Sequence, residues 1–111
     1  MALNPVTKEI SGVEVSIDPR ATTDLRFLKA MTELMRVNQK RDKLQAKDPD
    51  KATDLTFKLM EMLEDVARML FGSQKSVEQY QAKLAEQNDG FVGFREWLSF
   101  VMEVVNTYQK N

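Results

Sequence analysis

The stretch "FREWLSFVMEVVNTYQKN", residues 94–111, decides the fold class. Phe94, Trp97, Leu98, Val101, Val105 and Tyr108 recur at steps of three and four, which places them on one face of a helix. Met102 and Val104 lie beside that stripe and widen it. A helix this apolar must pack on other elements, and the rest of the chain supplies them. In "DLTFKLMEMLEDVARMLFG", residues 54–72, Leu55, Leu59, Met62, Leu63, Val66 and Leu70 mark one face. Phe57, Met60, Ala67 and Phe71 broaden it, and Gly72 follows where a left-handed helix cap is expected. In "DLRFLKAMTELM", residues 24–35, Leu25, Leu28, Met31 and Met35 form a third apolar face with Phe27 and Leu34 beside it. Val77, Tyr80, Ala82 and Leu84 make a shorter one, opened by Ser73 or by Ser76, which stands in capping-box spacing with Gln79.

Four helices follow, over about 23–46, 53–71, 75–87 and 91–108. Thr22 or Thr23 is expected to cap the first, Pro49 to break the chain after it, and Thr53 to open the second. Ahead of them, in "VTKEISGVEVSID", residues 6–18, Val13, Val15 and Ile17 alternate with Glu14 and Ser16 at the period of a half-buried strand. Val6, Lys8 and Ile10 offer a partner strand, and Ser11-Gly12 suits a two-residue hairpin turn. The alternative is an extended arm. The fold class is therefore mainly α: a compact bundle of about four helices with a short N-terminal β-hairpin. One domain, 1–111, divides into a hairpin or arm over 1–18 and a helical body over 23–108.

Composition narrows the chemistry. The 111 residues are 42% apolar, enough for a core and against global disorder. Sixteen basic residues nearly balance 17 acidic ones, which argues against a nucleic-acid coat. There is no cysteine, so there is no disulfide framework and no thiolate. There is no histidine either, which removes the usual general base and the commonest zinc ligand. No apolar run approaches the roughly 20 residues of a membrane span. "MALNPVTKEISG" lacks the pattern of a signal peptide, so a cytoplasmic protein is expected.

No catalytic, cofactor-binding or metal-binding residue emerges. Glu61, Glu64 and Asp65 share the polar side of the second helix with Lys58 and Arg68, and read as a solvated face with a Glu64–Arg68 pair. Arg36, Lys40, Lys43 and Lys47 would align on one stripe of a continuing helix. Such a stripe can track phosphates, but no aromatic residues interleave with it, and basic residues near a helix C-terminus also complement its dipole. Met-rich and aromatic faces suit adaptable contact with partner helices. Phe57 and Met60 widen the second helix, and Met102 and Val104 the last, beyond what a small core should hide; with Trp97, which lies on the main stripe and is expected to be largely buried, they are the candidate partner-binding residues.

The layout resembles the tail assembly chaperones of long-tailed, siphovirus-like bacteriophages. The matching stretches are "EISGVEVSID", "DLRFLKAMTELM", "VARMLFGSQKSVEQYQAKLAEQNDG" and "FREWLSFVMEVV". The charged insert "QKRDKLQAKDPDKA" departs from the pattern and reads as a surface excursion. The resemblance implies a non-enzymatic protein that binds and solubilises the long helical tape measure protein during tail morphogenesis. It implies action in the cytoplasm of the bacterial host, self-association, and absence from the mature virion. It also implies a frameshifted extension that meets tail tube subunits. Gln109-Lys110-Asn111 can be encoded with the run A-AAA-AAY, on which paired tRNAs slip by one base. The rival expectation is a small helical adaptor or regulatory protein using the basic stripe on nucleic acid.

Overall fold

The computed structural model describes residues 5–109. Met1–Asn4, the start of the expected arm, and Lys110–Asn111, where the slippage codons were placed, lie outside them. Ser11 and Gly12 both take positive φ, 52° and 79°, the backbone of a turn whose twist matches antiparallel strands. Strand β1 (Val6–Ile10) therefore folds back on β2 (Val13–Ile17), with Ile10 opposite Val13 and Val6 opposite Ile17. Period-two alternation then sends Ile10, Val13, Val15 and Ile17 into the core and leaves Thr7, Glu9, Glu14 and Ser16 outside. Val6 is correspondingly the weak end of the pair and stays exposed.

Asp18 ends the strand by capping a short 3-10 helix, Pro19–Thr22, which the sequence reading did not foresee. Proline cannot continue a ladder but fits the first turn of a helix. Helix α1 (Leu25–Leu44) is capped by Asp24, not by Thr22 or Thr23: its carboxylate accepts from the N–H groups of Arg26 and Phe27. Thr22 is instead buried, its hydroxyl donating to the Pro19 carbonyl at 2.8 Å.

The second helix begins a turn earlier than expected. Asp48 caps it, accepting from the Lys51 N–H at 3.2 Å, and Pro49 is its first residue, so α2 spans Pro49–Phe71. Pro49 breaks one helix and starts the next, because its missing N–H is among those a helix start leaves unpaired. "QKRDKLQAKDPDKA" is thus no excursion but the end of α1, a tight connection and the start of α2. The Asp48 N–H donates to the Leu44 carbonyl at 2.8 Å, and the two helices form the most extensive helix–helix contact of the domain.

Gly72 at φ 93° ends α2 in the left-handed conformation, and its N–H donates to the Arg68 carbonyl. Ser73, rather than Ser76, caps α3 (Gln74–Gln87), accepting from the Ser76 N–H. Helix α4 (Phe94–Gln109) closes the domain, which is mainly α with four helices and an N-terminal hairpin.

Two tyrosines bind the hairpin to the helices. Tyr80 of α3 meets the outer edge of β2, where its hydroxyl accepts from the Ser16 N–H at 3.1 Å. The Tyr108 hydroxyl of α4 shares its proton between the carbonyls of Val6 (2.6 Å) and Val15 (2.9 Å). Gln109 adds a bond from Nε2 to the Thr22 carbonyl. A two-stranded hairpin is marginal alone. Here its buried side chains contribute about 1.5–3 kcal/mol each when fully withdrawn from water.

Candidate functional site

The five candidate residues separate by burial. Phe57 is 62% exposed and Met60 50% exposed, one turn apart on α2. Met102 is half-buried. Trp97 and Val104 are not surface at all, at 5% and 0% exposure. The expectation that α4 carries a second apolar face outward is corrected at Val104, whereas Trp97 lies on the main stripe and is buried as that stripe implies, which leaves it out of reach as a partner-binding residue. The helix packs on β1, α2 and the 3-10 turn together, so a residue beside its main stripe is still covered. Trp97 sits in an aromatic cluster, with its ring 5.8 Å from those of both Phe71 and Phe100. Its Nε1 has no hydrogen-bond partner among the described residues.

Sequence reasoning placed Leu25 and Leu28 on the core face of α1, but they are 66% and 39% exposed. The helix buries Phe27, Leu34, Val37 and Arg41 instead. The signal was available: at about 100° per residue, Leu25 lies half a turn round from Leu34, whereas Phe27 lies almost above it. Val37 fits that second stripe, and Arg41 hid it by being charged. The Arg41 Nη2 donates to Asn38 (3.1 Å) and Asp42 (2.9 Å), while its guanidinium lies 5.7 Å from the centre of the Phe94 ring. It therefore seats the start of α4 on α1 by a cation–π contact.

A cleft of about 670 Å³ opens between the end of β2 and the end of α2. Ile17, Phe27, Leu70 and Phe71 line its depth, and Met69, 44% exposed, stands at its wall. Its rim carries the pairs Arg20–Asp18, at 2.6 Å, and Arg26–Asp24, at 3.4 Å. Hydrogen bonds from Arg20 hold the Asp18 carboxyl below its ordinary value, and those from Arg26 do the same for Asp24. Each cation is answered by its own neighbour, so the rim carries no net charge.

The basic residues do not form one continuous stripe. Arg36, Lys40, Lys43 and Lys47 are all exposed, but α1 ends at Leu44 and Lys47 belongs to the turn. The Arg36 guanidinium is engaged by Glu33 at 3.0 Å. The carboxylates of α2 are arranged differently from the expected pair as well. Arg68 bonds Asp65 and the Gln74 side chain, and Gln74 in turn donates to Glu64 at 2.7 Å. Arg68 and Gln74 thus tie α2 to α3 across the Gly72 stop, and Glu61 stays exposed.

Among the described residues no group of acidic, histidine or cysteine side chains is arranged to hold a metal ion, and no helix is long and apolar enough to cross a membrane. The chain matches no protein-family model, no curated protein and no solved structure.

Proposed function

We propose that the protein is a non-enzymatic tail assembly chaperone that binds the tape measure protein of a long-tailed phage and keeps it from aggregating during tail morphogenesis. The observation that carries this reading is the pair Phe57 and Met60. Two large apolar side chains stay exposed on the helix whose opposite side, Leu59, Leu63, Val66 and Leu70, closes the core. Burying their remaining half on a partner would release about 1–2 kcal/mol each, which is the kind of term that holds an amphipathic helix in place. Met60 adapts to varied apolar partners because its side chain is unbranched. The hairpin-then-helices order agrees with the resemblance. In this reading the chaperone acts in the cytoplasm of the bacterial host, self-associates, and is left out of the mature virion. A frameshifted extension would bring tail tube subunits to the same complex.

The test is co-expression with a long helical tape measure protein of a long-tailed phage. The wild type should raise the soluble fraction of that protein and co-purify with it. Phe57→Ser/Met60→Ser should lose both effects while staying folded. A double variant that still solubilises and co-purifies removes this face from the function. Retention of the wild type on nucleic acid at physiological salt, lost in Lys40→Glu/Lys43→Glu, would replace the reading with the adaptor one.

A further inference from the structure

The two outer edges of the hairpin are treated differently. In an antiparallel pair closed by a two-residue turn, Ile10:Val13, Lys8:Val15 and Val6:Ile17 are the hydrogen-bonded pairs. The backbone groups of Glu14 and Ser16 then point away on the β2 side, and those of Thr7 and Glu9 on the β1 side. Tyr80 engages the β2 edge at Ser16, although the Glu14 N–H and C=O on that edge have no partner among the described residues. On the β1 edge, the N–H and C=O groups of Thr7 and Glu9 have no partner among the described residues, and both residues are exposed.

The side chains along that edge set what could pair with it. Glu9 and Glu14 lie directly opposite one another on the solvent face. Like charges in that position repel at close range. On the other face, Val6 is 38% exposed, and the Lys8 ammonium is drawn inward to the Thr107 carbonyl at 3.4 Å.

A second copy of the chain fits this edge poorly. An antiparallel β1–β1 pairing that uses Thr7 against Glu9 sets Lys8 against Lys8. Moving it one way sets Glu9 against Glu9. Moving it the other way brings Pro5, which has no N–H, opposite Glu9 and removes ladder bonds. We propose that the outer edge of β1 is a docking site for an extended segment of another protein in which basic and apolar residues alternate. Its backbone completes the four unpaired groups of Thr7 and Glu9. Its basic residue lies beside Glu9 and relieves the Glu9–Glu14 repulsion, and its apolar residue covers Val6. The inference does not rest on the tape measure reading, which concerns α2.

The experiment titrates isotope-labelled full-length protein with the peptide acetyl-Lys-Val-Lys-Val-Lys-Val-amide and follows backbone amides by NMR. The Thr7 and Glu9 amides should shift and gain protection against solvent exchange. Glu9→Lys should weaken binding roughly tenfold, since it exchanges an opposite-charge pair for a like-charge one. Glu9→Gln should give an intermediate loss, and both variants should keep the wild-type melting temperature or exceed it. A peptide N-methylated on the amides that face the edge should not bind, and neither should one with Glu in place of Lys. Four results would each overturn the proposal: shifts centred on Phe57 and Met60 or scattered over the acidic surface, equal binding by the N-methylated peptide, indifference to both Glu9 variants, or concentration-dependent protection of Thr7 and Glu9 without any peptide.

Discussion

Tyr108→Phe isolates the bond that fastens the last helix to the hairpin. The substitution removes one hydroxyl and leaves the ring, so apolar packing is kept. What is lost is a proton shared between the Val6 and Val15 carbonyls at 2.6 and 2.9 Å. Both carbonyls belong to hydrogen-bonded strand pairs, so neither is left without a donor. The cost should therefore be that of one net hydrogen bond, about 0.5–1.5 kcal/mol, without a desolvation penalty on top. For a domain of this size that is a fall in Tm of about 4–8 °C per kcal/mol. The same change carries a pH signature. Burial raises the Tyr108 phenol above its ordinary value, the charge of Tyr80 adds to this, and the N–H groups of Ile17 and Lys8 oppose it. Below pH of about 10 both folded and unfolded chains keep the proton, and this group makes stability no function of pH. Above it the unfolded chain releases the proton first, so stability falls as pH rises, until the folded value is passed. The stability gap between wild type and Tyr108→Phe should therefore narrow from about pH 8 to about pH 11. Urea unfolding at both pH values measures it. A gap that stays constant or widens would refute the buried, bonded phenol, and a cost below about 0.3 kcal/mol would refute the fastening role.

Trp97→Ala should cost about 3–5 kcal/mol by urea unfolding, since it empties the centre of the Phe71–Phe100 cluster. Trp97→Phe should cost under about 1.5 kcal/mol, because the smaller ring also removes an indole N–H that has no partner among the described residues. Asp24→Ala should lower stability through loss of the α1 cap, read as a fall in Tm at neutral pH. That difference should fade in acid: the folded-state value of Asp24 is depressed, so its contribution is present above the ordinary carboxylate range and is lost as pH falls through the folded value. Phe57→Ser/Met60→Ser should change stability by no more than about 1 kcal/mol, a Tm shift of at most about 4–8 °C, and suppress self-association in analytical ultracentrifugation.

The legible parts of the fold were those in which one local rule acts alone. Alternation at Val13, Val15 and Ile17, positive φ at Ser11-Gly12 and the Gly72 stop each follow from a short stretch, and each stands as read. Helix starts were harder, because Thr22, Thr23 and Asp24 can all cap, and so can Ser73 and Ser76. Local chemistry left these choices open; the caps used are Asp24, whose carboxylate meets two N–H groups, and Ser73, which directly follows the Gly72 stop. Pro49 was read as a breaker when it was also a first helical residue. The candidate site was half legible. Apolar width marks Phe57 and Met60, which stay exposed, but the same width on α4 at Val104 is consumed by elements distant in sequence. No single-helix pattern reports how many neighbours a helix will have.

That difference between α2 and α4 follows from the hairpin. Ile10, Val13, Val15 and Ile17 join the core that Val101, Val104, Val105 and Tyr108 enter from α4. The hairpin in turn depends on that helix, through the Tyr108 hydroxyl and through Ser11, whose hydroxyl donates to Glu103 at 2.7 Å. The N-terminal strands thus use up the apolar surface of the last helix, and among the described residues nothing comparable reaches Phe57 and Met60 on α2. Exposed apolar surface on this domain is accordingly placed by topology rather than by composition. Of the two helices with apolar width beyond their core stripe, α4 is the better covered, and α2 is the one left with the side chains a partner helix can use.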